Sequence, residues 1–193
     1  MIRIAINGYG RIGRSVLRAL FESGLHQEIK VVAINEPADN KTIAHLTRYD
    51  STHGRFLADV EVSDSSLIIN GDSIDIFHID DLDKLPWHAL DIDVVLECSG
   101  SFSDRKSAEK HLKNGAKRVL FSQPAESDVD ATIVYGFNHQ ILTGSETIIS
   151  NASCSTNCVV PVIKFLNDNF WIYKGLQCLT QNNVVKRIFR KLL

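Results

Sequence analysis

The chain has 193 residues, enough for one full domain with a remainder too short for a large second one. Its net charge of −2 excludes a dedicated nucleic-acid surface, which needs clustered positive charge, and no apolar run approaches the roughly 20 residues that cross a bilayer. Four cysteines are too few for a disulfide framework, and Asn7 with its neighbouring glycines interrupts the first apolar run before a signal peptide can form, so a cytoplasmic globular protein is expected.

Apolar, β-rich runs alternate with helical patterns, the rhythm of an α/β fold with a doubly wound parallel sheet. Ile2 to Ile6 reads as the first strand, Arg11 to Ser23 as a helix closed by Gly24, and Ile29 to Ile34 as the second strand. Asp59 to Val62, Leu67 to Ile69 and Ser73 to Phe77 read as short antiparallel strands, the last two flanking the hairpin signal Asn70-Gly71-Asp72. Val94 to Glu97 is a buried-type strand. Asp104 caps a helix ending near Asn114, with Gly115 as its left-handed stop. Arg118 to Phe121, Ala131 to Tyr135 and Thr147 to Ser150 continue the sheet. Ser155 to Asn169 is helical despite Pro161, which should kink it or mark a local adjustment. Beyond Asn169 the pattern changes, and Val184 to Leu193 sets apolar residues on one helical face with four basic residues opposite.

Two motifs carry chemistry. Gly8-Tyr9-Gly10-Arg11-Ile12-Gly13 follows the first strand and opens a helix, and Glu36 stands 23 residues after Gly13, just past the second strand. Glycines in that order let backbone approach a pyrophosphate, which the helix N-terminus meets with its N–H groups. A carboxylate at Glu36 accepts hydrogen bonds from a ribose diol and repels a 2′-phosphate, so NAD is preferred over NADP. The alternative is a glycine turn without ligand and a solvated Glu36.

The second motif is Ala152-Ser153-Cys154-Ser155-Thr156-Asn157-Cys158, at a strand end and a helix start. The positive end of a helix dipole and unpaired backbone N–H groups favour a thiolate there, and the thiolate is the nucleophile. Cys154 and Cys158 are also spaced as paired metal ligands, but no second close cysteine or histidine pair completes a site. Two structural cysteines are the other bland reading. Cys158 reads as a packing residue, Cys98 follows a buried strand and reads as another, and the histidines show no shared site, most of them reading as surface or turn residues.

With both motifs in place the chain resembles the glyceraldehyde-3-phosphate dehydrogenase superfamily. The resemblance rests on Asn7 to Arg14, on Tyr49-Asp50-Ser51-Thr52-His53-Gly54-Arg55-Phe56, and on Ser150 to Cys158, and it runs from about Ile2 to about Phe170. Within the superfamily the likeness is closer to the bacterial D-erythrose-4-phosphate dehydrogenase branch, through Ile34-Asn35-Glu36, Leu85-Pro86-Trp87, Phe121-Ser122-Gln123-Pro124 and Asp128 to Gly136. It implies a Rossmann-type NAD-binding domain over residues 1–150, the start of a catalytic domain with its nucleophile helix over 151–170, and a divergent basic tail over 171–193. It also implies that Cys154 attacks the aldehyde of a phosphorylated aldose, and that hydride transfer to NAD leaves a thioester. By matching position Gly8, Gly10, Arg11, Ile12, Gly13, Glu36, Ser99 and Ser122 hold NAD, while Ser153, Ser155 and Thr156 flank the substrate. A homotetramer is the assembly the resemblance implies.

The resemblance also has gaps. It implies a thiol-activating histidine 27 residues beyond the nucleophile, where this chain has Gln181, and a small glycine where it has Trp171. Asp80 stands where the erythrose branch has an NAD-contacting arginine, and Leu179 to Leu193 matches nothing in the family. The expectation is a truncated chain with an unrelated tail, holding only the first helix of the catalytic domain and turning over poorly by itself. The basic tail reads either as a cover for apolar surface, as a disordered end, or as a helix lying on a membrane surface.

Overall fold

Apolar strands running in parallel need cover on both faces, and the elements alternate so as to supply it. The computed structural model describes residues 1–170; Trp171, Cys178, Gln181 and the basic stretch Val184 to Leu193 lie outside the described residues. In chain order the elements are β1 (Ile2–Asn7), α1 (Arg11–Glu22), β2 (Ile29–Asn35), α2 (Asn40–Arg48), β3 (Tyr49–Asp50), β4 (Gly54–Arg55), β5 (Val60–Val62), β6 (Ser66–Ile69) and β7 (Asp72–Phe77). They continue with β8 (Val94–Glu97), α3 (Arg105–Lys113), β9 (Arg118–Phe121), β10 (Ala131–Thr132), β11 (Ile148–Ser150) and α4 (Cys154–Phe170). Nine strands form one sheet in the order β10-β11-β9-β8-β1-β2-β7-β6-β5, and β3 pairs with β4 apart from it.

Within the nine-stranded sheet the pairings from β10 to β7 are parallel and those among β5, β6 and β7 are antiparallel, as is the separate pair of β3 and β4. This is the expected doubly wound α/β fold of Rossmann type. Strand alternation divides its core. Ile4 and Ile6 of β1 face Leu17 of α1 and Ile43 of α2, whereas Ala5 faces the cluster of Trp87, Val95, Ala108 of α3, Val119 and Phe121. Each such fully buried aliphatic side chain contributes about 1.5–3 kcal/mol. The strand β2 departs from simple alternation. Its register against β1 slips between Ile4 and Ala5, so that Ile4 pairs with Val31 and Ala5 with Ala33. The surplus residue is Val32. It lets Val32 and Ala33 face one core while Val31 and Ile34 face the other.

Three sequence expectations need correction. Ser73 to Phe77 is not purely antiparallel, because β7 pairs antiparallel with β6 but parallel with β2 and so joins the hairpin to the main sheet. Ala131 to Tyr135 is a strand only over β10, since the Val134 N–H donates to Asn138 Oδ1 at 2.7 Å and the Phe137 N–H to the Val134 carbonyl at 3.0 Å, which turns the chain. The helix α2 was not foreseen. Asp39 caps it by accepting the Thr42 N–H at 3.0 Å, and Ile43, Ala44 and Thr47 are its buried face. Elsewhere the expected elements stand within one or two residues, and α4 runs through Pro161. Among the described residues no helix is long and apolar enough to cross a membrane.

Candidate active site

The strand β1 lies between β2 and β8, so the chain leaves it in one direction and returns on its other side. Ligands of open α/β sheets bind at that reversal, outside the carboxyl ends of the strands. Each of the proposed site residues sits at such an end. Gly8 follows β1, Glu36 follows β2, Ser99 follows β8, Ser122 follows β9, and the turn to Cys154 follows β11. From β2 to β11 is four strand spacings, roughly 19 Å.

The glycine loop divides its labour. At Gly8 φ is +86°, and a Cβ there would lie 2.3 Å from Ser99 Cα; at Gly13 a Cβ would lie 2.6 Å from the Gly8 carbonyl oxygen. These two let the β8 loop and α1 approach β1 closely. A Cβ at Gly10 meets nothing within 4 Å, so the space in front of the loop is open. Gly10 is also the N-cap of α1 and offers no side chain to the first turn. The N–H groups of Arg11, Ile12 and Gly13 therefore point outward without an intrahelical acceptor, as an anion requires. Arg11 and Ile12 are exposed, and the Arg11 guanidinium reaches Asp50 at 3.4 Å.

Glu36 has a task within the protein. Its Oε2 accepts the Tyr9 N–H at 2.7 Å, which ties the glycine loop to the end of β2, and its Oε1 faces the Ala38 N–H at 3.5 Å. The half-buried carboxylate keeps acceptor capacity for a diol. Ser99 is drawn inward instead. Its N–H and hydroxyl both donate to Glu97 Oε1, at 2.8 and 2.5 Å, while its oxygen accepts the Ser101 N–H at 3.1 Å. Ser122 Oγ donates to Gln123 Oε1 at 2.8 Å.

The turn that leads to Cys154 is conformationally costly. Ala152 has φ +57°, a left-handed value unusual for a residue with a Cβ, and it directs the chain from β11 into α4. Ser153 then caps α4, with Oγ accepting the Thr156 N–H at 3.0 Å and its carbonyl accepting the Asn157 N–H at 2.9 Å. Its hydroxyl also meets Thr156 Oγ1 at 2.6 Å and Ser155 Oγ at 3.0 Å, so the three hydroxyls form one cluster in the first turn. Cys154 is exposed beside them. It lines an open cleft of about 550 Å³ together with Ile12, Cys98, Ser122, Asn151 and Ser153, above an apolar floor of Ile4, Val94, Leu96 and Leu120. Cys98 is half-buried in that cleft, and burial pushes its thiol up to about 11. It packs, as expected. Cys158, expected to pack, is exposed, because its turn of α4 has no described neighbour over it.

Sequence reasoning missed what lies beneath the loop. His111 is not a surface or turn residue: it is buried, and it links Trp87 to Glu97, with Asn7 on the same carboxylate. The polar residues closing the apolar runs of β1, β2 and β8 were the available signal. Taken together, a bare glycine at a helix N-terminus, outward N–H groups and a carboxylate at the neighbouring strand end fit a dinucleotide. The family model described as Glyceraldehyde 3-phosphate dehydrogenase, NAD binding domain, matches residues 2–105, more than half of the chain, and the protein belongs to that family of NAD-binding dehydrogenases.

Proposed function

We propose that the chain is built for NAD-dependent oxidation of a phosphorylated aldose through Cys154, with D-erythrose 4-phosphate going to 4-phosphoerythronate. The observation that carries this reading is the exposed Cys154 in the first turn of α4, on the rim of the cleft that Ile12 and Ser122 also line. A sulfur so placed bonds to the aldehyde carbon, and the carbonyl oxygen takes up a proton to give a thiohemiacetal. NAD, when bound, would supply the hydride acceptor. Loss of that hydride, and of the hydroxyl proton to solvent, would leave a thioester on Cys154, and water would then release the acid and free the thiol. In the alternative glyceraldehyde-3-phosphate reaction, phosphate displaces the sulfur instead.

In this reading Arg11, Ile12 and Gly13 meet the pyrophosphate with backbone N–H groups, Gly8 and Gly10 leave room for it, and Glu36 takes the ribose diol. Ser99 and Ser122 border the cofactor between its two ends. Ser155 and Thr156 hydrogen-bond substrate oxygens, and Ser153 acts chiefly by holding the turn.

A second reading is favoured by one residue. Gln181 occupies the position at which the resemblance implies a histidine, and an amide cannot take the proton from a thiol or a hemiacetal. This supports slow turnover, or a non-catalytic NAD-binding module with a reactive cysteine. Titrating NAD while mapping alkylation of Cys154 separates the two. Protection together with reduction of NAD by erythrose 4-phosphate supports the enzyme, protection without turnover supports the module, and no protection overturns both.

A further inference from the structure

Four donors converge on one carboxylate with no exposed surface. Glu97, the last residue of β8, accepts the Ser99 N–H and hydroxyl on Oε1 and, on Oε2, the Asn7 side-chain amide at 2.6 Å and His111 Nε2 at 3.2 Å. The state of His111 follows from its other neighbour. The Trp87 indole N–H donates to His111 Nδ1 at 3.0 Å, and an indole nitrogen has no lone pair to accept with. Nδ1 is therefore the acceptor, and the ring proton sits on Nε2, aimed at Glu97. Among the described residues no cation lies opposite the carboxylate, which hydrogen bonds hold. Burying an ion on those terms is costly, so stability is a poor reason for its presence.

The network reaches three strand ends. Asn7 Oδ1 accepts from Asn35 Nδ2 at 2.8 Å, and the Asn35 side chain brackets Ile79 through its N–H at 2.9 Å and its carbonyl at 2.8 Å. Glu97 thus joins the ends of β8, β1 and β2, from which the Ser99 loop, the Gly8 turn and Glu36 project. The close approach of Gly8 to the Ser99 backbone leaves that junction little slack.

We propose that Glu97 is a positioning residue for NAD: its buried carboxylate, gripped by Asn7, Ser99 and a His111 oriented by Trp87, fixes the Gly8 turn and the Ser99 loop in the arrangement the dinucleotide needs. The proposal rests on the NAD-binding assignment. Glu97→Gln keeps the shape but turns an amide N–H₂ toward one of the donor pairs. Calorimetry should show NAD binding weakened at least tenfold in Glu97→Gln, and several-fold in Trp87→Phe, which frees the His111 tautomer from a buried site away from the cofactor loop. Nitrogen-15 NMR of the ligand-free protein should show His111 protonated on Nε2 alone. A purely structural role would lower the melting temperature and leave the NAD dissociation constant unchanged in folded variants, and that result overturns the proposal. So does a proton on His111 Nδ1. If Glu97→Gln fails to fold, Trp87→Phe and the tautomer decide. A parent protein that binds no NAD would sink the cofactor assignment itself, a different outcome from variants that bind as well as the parent.

Discussion

The carboxylate of Glu36 accepts the backbone N–H of Tyr9 at 2.7 Å, so the residue proposed to read the ribose also holds the loop proposed to receive the pyrophosphate. A hydrogen bond to a charged group contributes about 1.5–3 kcal/mol. Glu36→Ala should therefore weaken NAD binding about tenfold or more, since each 1.4 kcal/mol is a factor of about ten. Preference over NADP should narrow at the same time, because the charge that repels a 2′-phosphate is gone. Calorimetry with both cofactors checks both effects.

Gly8 and Gly10 should fail in different ways. Gly8→Ala places a methyl 2.3 Å from Ser99 Cα at a positive φ, and should cost about 3 kcal/mol or more, a drop of about 6 °C or more in melting temperature. Gly10→Ala meets nothing within 4 Å and should melt within about 2 °C of the parent, yet bind NAD several-fold more weakly because the methyl enters the space in front of the helix. Thermal melts with and without NAD measure the two effects together.

Asp130 secures the approach to the turn that carries Cys154. Its Oδ2 accepts the Thr147 and Ile148 N–H groups at 2.8 and 3.0 Å, and its Oδ1 pairs with Arg105. The Arg105 guanidinium, with those N–H groups, holds the carboxyl far below the usual carboxylate range. A depressed folded value means that the stabilisation is complete above the unfolded value of about 3.9 and is lost as pH falls below it. Asp130→Asn should lower the melting temperature at pH 7 by about 3–6 °C and flatten the decline of stability between about pH 4 and pH 2, as acid titration followed by circular dichroism would show.

Thiol reactivity should divide sharply within one cleft. Burial holds Cys98 near 11, so at pH 8 only about one thiol in a thousand is ionised there, whereas Cys154 is exposed. Iodoacetamide at pH 8 should modify Cys154 at least about tenfold faster than Cys98, with NAD slowing the Cys154 reaction. Mass spectrometry of timed digests gives both rates.

The parallel strands and the two motifs were legible because they are local: continuous apolar runs bounded by turn residues, and glycines or cysteines at fixed offsets. The hairpin at Asn70-Gly71 is the clearest case, since Asn70 and Gly71 both take the positive φ such a tight turn requires. What stayed hidden depends on contacts distant in sequence. Helix α2 has only three buried positions in nine residues, so its pattern is mostly polar and its cap is the stronger clue. His111 meets partners 14 and 24 residues away, and nothing in its immediate neighbours marks it as buried. Ser99 turns inward on a partner only two residues back, but that partner, Glu97, is itself held inward by Asn7 and His111, 90 and 14 residues away, and their arrival has no local signature.

The unpaired Val32 gives the sheet an unusual tolerance. Removing that single amino acid would restore plain alternation along the second strand while Ala33, Ile34 and Asn35 kept their present partners Ala5, Ile6 and Asn7. Asn35 would stay against Asn7, and Glu36 against the Tyr9 amide. The extra valine thus serves the packing of one sheet face and leaves the coenzyme's anchors untouched.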